Sequence, residues 1–174
     1  ERKGAKTALL TTDGFQDVLE IGRERRYDMH DLFLEMPDPL VPRPLRFGVK
    51  ERIHSSAAVG VEPDSGQVQE ISEQLQTHSI EAVGLCFLHS YKNSTHELVV
   101  ARWLQEQIPE LYISLSCQVT PQIREYERMS TTVANAYVQP LTERYVRRLD
   151  DKLRALGFEG HLYLMLSSGG ICTL

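Results

Sequence analysis

Four polar side chains recur along one predicted helix at spacings that place them on a single face. They are Arg124, Arg128, Thr131 and Asn135, and residues three or four positions apart are neighbours on a helix surface. Arg128 and Asn135 can both donate hydrogen bonds to a carbonyl or phosphate oxygen. No charged residue occurs in the 14 positions after Arg128, so this face suits contact with a ligand or with another domain. The structural alternative is that these side chains satisfy a neighbouring loop of the same fold.

A second candidate is a histidine at the end of a predicted buried strand. Residues 80–88 are nearly all apolar, which is typical of a strand covered on both faces. Ligand sites of α/β sheets often lie beyond the carboxyl ends of such strands, and His89 stands at that end. A third candidate is the turn after the predicted strand 162–166. Its backbone N–H groups could bind an anion, or the turn could simply end the strand: Ser168, Gly169 and Gly170.

Two further groups have the chemistry of metal ligands but not the spacing. One is the segment 28–31, with two aspartates and a histidine, and the other comprises His89, His96 and Glu97. Neither matches a zinc pattern such as HExxH. We therefore predict no metal site, and we assign His96 and Glu97 to the first turn of a helix, with Glu97 as the capping acid.

The composition excludes some functional classes. Hydrophobic residues make up 41% and charged residues 25%, and the net charge is -5, which argues against nucleic-acid binding. No apolar run approaches the ~18 residues of a membrane span, and no signal peptide is evident. The three cysteines form no CxxC pair, which favours a reducing, cytoplasmic compartment. Cys86 is predicted to be a small core residue.

The predicted elements alternate between strands and helices, as in an α/β fold. In the first third, the patterns predict a strand over 7–11, a helix over 13–22, a proline-rich connector over 36–44, a half-exposed strand over 45–53 and a turn over 62–66. Next comes an αβαβ run over 67–116, in which strands 80–88 and 111–115 flank a helix. This arrangement predicts a βαβ crossover with parallel strands. Leu85 and Phe87 are expected to be buried.

The predicted helices are assigned by apolar stripes and capping boxes. Two capping boxes are predicted, Asp13 with Gln16 and Ser94 with Glu97. The helix after Ser94 has a predicted inner face of Leu98, Ala101, Leu104 and Ile108, and the helix before strand 80–88 has one of Val68, Ile71, Leu75 and Ser79. The last third shows two stripes that share Leu141. The first comprises Ile123, Tyr126, Ser130, Val133, Ala134, Tyr137 and Leu141, and the second, which follows Pro140 and ends before Gly157, comprises Leu141, Tyr145, Leu149, Leu153 and Leu156.

Three segments together resemble a known enzyme family. They read TTDGFQDVLEIGR at 11–23, CFLHSYKNSTHE at 86–97 and EYERMSTTVANAY at 125–137. In this order and at this spacing, they resemble the hydantoinase A, 5-oxoprolinase and acetone carboxylase β-subunit family over nearly all of 1–170. The family commonly has Gln-Ser-Asn-Gly-Gly where this chain has residues 166–170, Leu-Ser-Ser-Gly-Gly.

The resemblance implies a partial actin-like, sugar-kinase-like ATPase fold cut at both ends, because the family's two phosphate loops are expected before residue 1 and after residue 174. It assigns 1–120 to the N-terminal domain and 121–174 to a helical connector and the first strand of the following domain. It implies ATP and Mg²⁺ as cofactors of the parent protein, a small cyclic amide such as hydantoin or 5-oxoproline as substrate, and a second subunit or C-terminal domain of the hydantoinase B type, in an oligomer.

The function that the resemblance implies is ATP-dependent hydrolysis of a cyclic imide or lactam, with this chain incompetent alone. The alternative is a non-catalytic scaffold or subunit-contact region of a carboxylase-type complex. The state of the upstream phosphate hairpin in the whole gene would separate the two.

Overall fold

The computed structural model describes residues 3–23, 33, 37–165 and 169–173. In chain order the strands are β1 (Thr7–Thr12), β2 (Arg46–Val49), β3 (Arg52–Ile53), β4 (Val59–Val61), β5 (Ala82–Cys86), β6 (Tyr112–Leu115), β7 (Tyr163–Met165) and β8 (Ile171–Thr173). The helices are α1 (Val18–Ile21), α2 (Ser65–Thr77), α3 (Thr95–Gln107), α4 (Ser116–Val119) and α5 (Glu125–Ala155).

A four-stranded parallel sheet in the order β2-β1-β5-β6 forms the centre of the molecule. The predicted crossover is confirmed, because α3 connects β5 to β6 and these strands pair in parallel, with Leu85 beside Leu115. Leu85 and Phe87 are completely buried, as expected. In parallel strands every carboxyl end lies at one edge, so this edge collects the loops that follow β1, β2, β5 and β6.

Helices cover the sheet on both faces. A Cβ at Gly84 of β5 would lie 3.5 Å from Thr132 and 3.6 Å from Val133, so α5 packs directly on this face. Successive strand residues point to opposite faces, and Val83 and Leu85 join the core that contains the predicted apolar stripe of α2. That stripe is confirmed for Val68, Ile71 and Leu75, whereas Ser79 lies beyond the helix and is exposed.

Several boundaries differ from the sequence-based predictions. The helix predicted over 13–22 is shorter in the structure, where α1 covers only Val18–Ile21. Gly22 ends it as predicted, with φ 56°. Asp13 accepts a hydrogen bond from the Gln16 side chain rather than capping the helix. The single strand over 45–53 divides into β2 and β3, because the chain turns at Glu51, whose N–H donates to Val49 O. The predicted turn over 62–66 overlaps the start of α2, which begins at Ser65. The side chain of Asp64 caps this helix by accepting a hydrogen bond from Gln67 N.

The inward faces of α3 and α5 are rotated relative to the predicted stripes. Leu104 of α3 is buried as predicted, but Leu98 is 44% exposed, and the other buried residues of this helix are His96, Glu97 and Val100. Ile123 is 66% exposed, and Leu141 is also exposed. The buried residues of α5 are Arg128, Met129, Thr132, Val133, Ala136, Pro140 and Val146. Of the two polar side chains in this set, Thr132 is satisfied because its Oγ1 donates to Arg128 O, whereas Arg128 is satisfied only in part.

The last part of the chain comprises the rest of α5 and a two-stranded hairpin. α5 continues through Pro140 as one helix, so Pro140 starts no new helix, and Gly157 follows the C-cap with φ 85°, as the predicted stop requires. The predicted strand over 162–166 is confirmed at 163–165, where β7 pairs antiparallel with β8. Among the described residues, no helix is both long enough and apolar enough to cross a bilayer.

Candidate functional site

The carboxyl edge of the sheet holds most of the buried polar side chains of the core. A polar group removed from water costs free energy unless it forms hydrogen bonds, so the partners of these side chains reveal what each one does. The members of this group come from β1, the turn after β2, the loop after β5, the first turn of α3, the start of α4 and α5: Thr11, Thr12, Glu51, Ser90, His96, Glu97, Ser116 and Arg128.

Glu97 joins the ends of two neighbouring strands. Its Oε1 accepts a hydrogen bond from Phe87 N at 3.0 Å and from Ser116 Oγ at 2.6 Å, and its Oε2 accepts from Cys117 N at 2.9 Å. The predicted capping box is therefore wrong. The Glu97 carboxylate does not cap α3, and it accepts hydrogen bonds from residues at the ends of β5 and β6 instead. Asn93 Oδ1 accepts from Thr95 N at the start of α3 instead.

His96 bridges two acidic residues beside Glu97. Its Nδ1 lies 2.7 Å from Glu51 Oε2 and its Nε2 lies 3.0 Å from Glu62 Oε2. Glu51 also accepts a hydrogen bond from Thr12 Oγ1, which in turn accepts one from Leu88 N at 3.0 Å. These contacts hold the ends of β1 and β5 together, and they fix the backbone from which the β5–α3 loop departs.

Two thiols lie against this network and stay protonated at neutral pH. Burial raises the pKa of Cys86 to about 11, while the nearby Arg128 opposes part of that rise. Burial also raises the pKa of Cys117 to about 12, with the negative charge of Glu97 adding to it. A thiolate is the nucleophilic form of cysteine, so neither residue is suited to nucleophilic catalysis.

Arg128 is the largest fully buried side chain and points into the end of β5. Its Nη2 donates to Phe87 O at 2.7 Å, and its guanidinium carbon lies 5.5 Å from the centre of the Tyr91 ring. Its Nε and Nη1 are buried and have no hydrogen-bond partner among the described residues. A face that contacts a ligand or another domain should be partly exposed in this chain and should carry donors without protein partners. Arg128 is buried instead, but these two nitrogens are such donors.

His89 lies close to Arg128 in the loop after β5. Its backbone has φ 55°, an uncommon conformation for a residue other than glycine, and its buried Nδ1 has no partner among the described residues. Burial lowers the pKa of His89, and the positive charges of Arg128, Arg52 and Lys92 lower it further, against an opposing contribution from Glu125. Neutral His89 therefore has a ring nitrogen available to accept or donate a hydrogen bond, depending on its tautomer.

The other three residues of the predicted polar face separate. Arg124 is exposed at the N-cap of α5 with φ 87°. Thr131 is exposed, and its hydroxyl donates to Glu127 O. Asn135 Nδ2 donates to Ser114 Oγ at 2.9 Å, which is a contact inside the fold. Asn135 also lines a cleft of about 890 Å³ between α5 and β7.

The glycine turn and the metal-type residues are only partly described. Ser168 lies outside the described residues, as does the segment 28–31, while Gly169 and Gly170 are exposed. Gly169 has φ 87° and lies in the connection between β7 and β8. Within the described residues, no group of three His, Cys, Asp or Glu side chains is arranged to hold a metal ion.

Comparison with known proteins identifies the family. A model of the "Hydantoinase/oxoprolinase N-terminal region" matches residues 1–108, and a model named "Hydantoinase/oxoprolinase" matches residues 128–174. The chain belongs to the hydantoinase/oxoprolinase family. The resemblance found in the sequence is thus confirmed.

Relatives with different activities match almost the whole chain. Caprolactamase subunit alpha of Pseudomonas jessenii is 34% identical over 98% of this chain, and acetophenone carboxylase gamma subunit of Aromatoleum aromaticum is 33% identical over 98%. An uncharacterized protein of Methanocaldococcus jannaschii is 41% identical over 97%. The chain spans 25% of the length of each of these relatives.

Two solved structures share the fold. The crystal structure of the ATP-dependent caprolactamase from Pseudomonas jessenii matches 97% of this chain with a TM-score of 0.90 and 34% identity, over 25% of its own chain. A nucleotide-free structure of acetone carboxylase matches 99% with a TM-score of 0.84 and 23% identity, over 26% of its own chain. The predicted α/β fold with a parallel sheet is confirmed.

Proposed function

We propose that this chain is part of an ATP-dependent enzyme that hydrolyses a small cyclic amide. The observation that carries the proposal is the agreement with the ATP-dependent caprolactamase, which extends over nearly the whole chain in both sequence and structure. The proposal includes an actin-like fold for the parent protein and a division of the chain into 1–120 of an N-terminal domain and 121–174 of a connector and following domain. It also includes a cytoplasmic location, a second subunit and an oligomeric enzyme.

The chemistry of the reaction explains why ATP is needed. An amide carbonyl is a poor electrophile, and transfer of a phosphoryl group from ATP would turn its oxygen into a leaving group. Water can then add to the carbon, the ring C–N bond breaks, and an amino acid, ADP and phosphate result. By itself the chain is expected neither to bind ATP tightly nor to hydrolyse it, because no segment of the sequence matches a P-loop or GxGxxG pattern.

The proposed ligand-facing residues of this chain fall into two groups. The unpaired nitrogens of Arg128 and His89 support a role at the carboxyl edge of the sheet, where α/β enzymes bind ligands. Arg124, Thr131, Asn135, Ser168, Gly169 and Gly170 remain candidates for contact with substrate or nucleotide.

A carboxylase-type complex is the second candidate, because the acetophenone carboxylase gamma subunit is almost as similar to this chain as the caprolactamase subunit is. In that case this region would be a scaffold or a subunit contact.

The test is an assay of the full-length protein together with its partner subunit. ADP release and ring-opened product are measured with ATP and each of caprolactam, 5-oxoproline and hydantoin, and in parallel with acetophenone and bicarbonate. The proposal predicts product and ADP in equal amounts with one of the three rings. If the assay yields carboxylated ketone and no ring-opened product, the hydrolase proposal is refuted and the carboxylase-type complex is supported.

A further inference from the structure

Arg128 is a buried cation without a carboxylate partner. It is 1% exposed, and none of the ion pairs found among the described residues includes it. One of its three nitrogens is bonded to Phe87 O, and the other two are unpaired. A buried charge is costly unless an opposite charge or a full set of hydrogen bonds compensates it, so this arrangement is incomplete.

A neighbouring acidic residue, Glu97, does not complete it. Glu97 shares the surroundings of Arg128, because both charges act on the pKa of the Cys86 thiol. The two carboxylate oxygens of Glu97, however, already accept hydrogen bonds from Phe87 N, Ser116 Oγ and Cys117 N. Glu97 therefore offsets part of the charge of Arg128 from a distance and leaves its Nε and Nη1 unpaired.

The neighbouring loop adds positive charge and a second unpaired nitrogen. Three cations, Arg128, Arg52 and Lys92, oppose the protonation of His89, whereas one carboxylate, that of Glu125, favours it. Lys92 is held in place by a bond of 2.7 Å to Ser55 O. An excess of positive charge in a partly desolvated site attracts anions more strongly than the same charge would in water.

We propose that Arg128, His89 and Tyr91, which we name the Arg128 cluster, bind a negatively charged oxygen group, either a carboxylate or a phosphate. The Arg128 nitrogens and His89 would contact the oxygens, and Tyr91, which lies over the guanidinium, would turn aside to admit them. The proposal rests on the proposed function only for the source of the anion, which is a phosphoryl group derived from ATP or the carboxylate of a substrate or product.

The test is anion-dependent stabilisation of the full-length protein, without ATP or any cyclic amide. A ligand that binds only the folded state raises the melting temperature as its concentration rises. Inorganic phosphate and acetate are titrated separately at constant ionic strength. The variant is Arg128→Met, which keeps the length of the side chain and removes its charge. The matched control is Arg148→Met, which removes an exposed arginine farther along the same helix.

The proposal predicts three results. Phosphate or acetate stabilises the wild-type protein, Arg128→Met weakens that binding by about 30-fold or more, and Arg148→Met leaves it unchanged. Arg128→Met also melts at a higher temperature than the wild type in anion-free buffer, because an uncompensated buried charge is removed. A response to phosphate alone assigns the anion to a phosphoryl group, and a response to acetate alone assigns it to a carboxylate.

Two results would overturn the proposal. One is an anion response of Arg128→Met within threefold of the wild type. The other is the absence of a response to either anion in the wild type, together with a lower melting temperature of Arg128→Met, which would make Arg128 a structural donor to Phe87 O only. If Arg128→Met does not fold, Arg128→Lys decides: about tenfold weaker anion binding supports the cluster, and unchanged binding refutes it. Because no ring substrate is present, failure of the lactam assay leaves this result standing.

Discussion

Replacing Glu97 by alanine should destabilise the carboxyl edge of the sheet more than any surface substitution. The change leaves Phe87 N and Cys117 N without an acceptor, whereas the Ser116 hydroxyl keeps its 2.9 Å contact with Ser90 Oγ. A buried donor that loses its partner costs about 1–3 kcal/mol. Two such donors predict a loss of about 2–6 kcal/mol, a large share of the ~5–15 kcal/mol by which a domain is stable.

Hydrogen exchange of the full-length protein, followed by mass spectrometry, measures this loss locally. Peptides that contain Phe87 and Cys117 should exchange about 30-fold faster or more in Glu97→Ala, since each 1.4 kcal/mol is tenfold. Glu97→Gln keeps one acceptor oxygen, so its peptides should exchange at rates between those of the wild type and those of Glu97→Ala. The matched control is Glu106→Ala, an exposed glutamate of the same helix, which should change stability by less than about 0.5 kcal/mol. Unchanged protection of both peptides in Glu97→Ala would refute the reasoning.

Three further predictions concern other positions. A Cβ on Gly48 would lie 3.1 Å from Asp13 Cα, in the turn after β1. Gly48→Ala should therefore lower the free energy of unfolding, measured by urea denaturation, by about 1–2 kcal/mol. An unchanged free energy would show that the turn moves to accommodate the methyl group. Burial lowers the pKa of His89 below its ordinary value of 6.5, so the folded state takes up this proton less readily than the unfolded chain does. Stability is therefore lost as the pH falls below 6.5, and denaturation at pH 7.5 and 5.5 should show a smaller loss in His89→Gln than in the wild type. Asn135→Ala should reduce turnover about tenfold or more if Asn135 contacts a developing charge, whereas Ser114→Ala, which removes the same hydrogen bond from the other side, should not; equal effects of the two variants would make Asn135 a structural support.

The apolar pattern predicted the parallel core because every residue of β5 is apolar or glycine, and such a strand is stable only when both of its faces are buried. The strand 82–86 is buried on both faces, and the stripe of Val68, Ile71 and Leu75 fits a single helix orientation. The same reasoning assigned Leu98 to the core, where His96 and Glu97 lie instead. Their burial depends on donors that are distant in sequence, such as Cys117 N, and short-range patterns carry no information about such partners.

The candidate site was less predictable than the fold for the same reason. Helical spacing placed Arg128 on one polar face together with Arg124 and Thr131. In the structure, the bond to Phe87 O draws Arg128 inward, and Arg124 lies outside the helix with a left-handed backbone. Glu51 and Glu62 could not be found from sequence at all, because they meet His96 only through the folded path of β3 and β4.

The uninterrupted length of α5 sets a limit on how this protein can change in evolution. Its 31 residues span about 46 Å at 1.5 Å per residue, from the part that packs on the sheet to the turn at Gly157 that precedes the β7–β8 hairpin. A deletion of one residue after Val146 would turn everything beyond it by about 100° around the helix axis, whereas a deletion in a surface loop would be absorbed locally. Insertions and deletions in related chains should therefore be rare within 125–155 and frequent in the connections between strands.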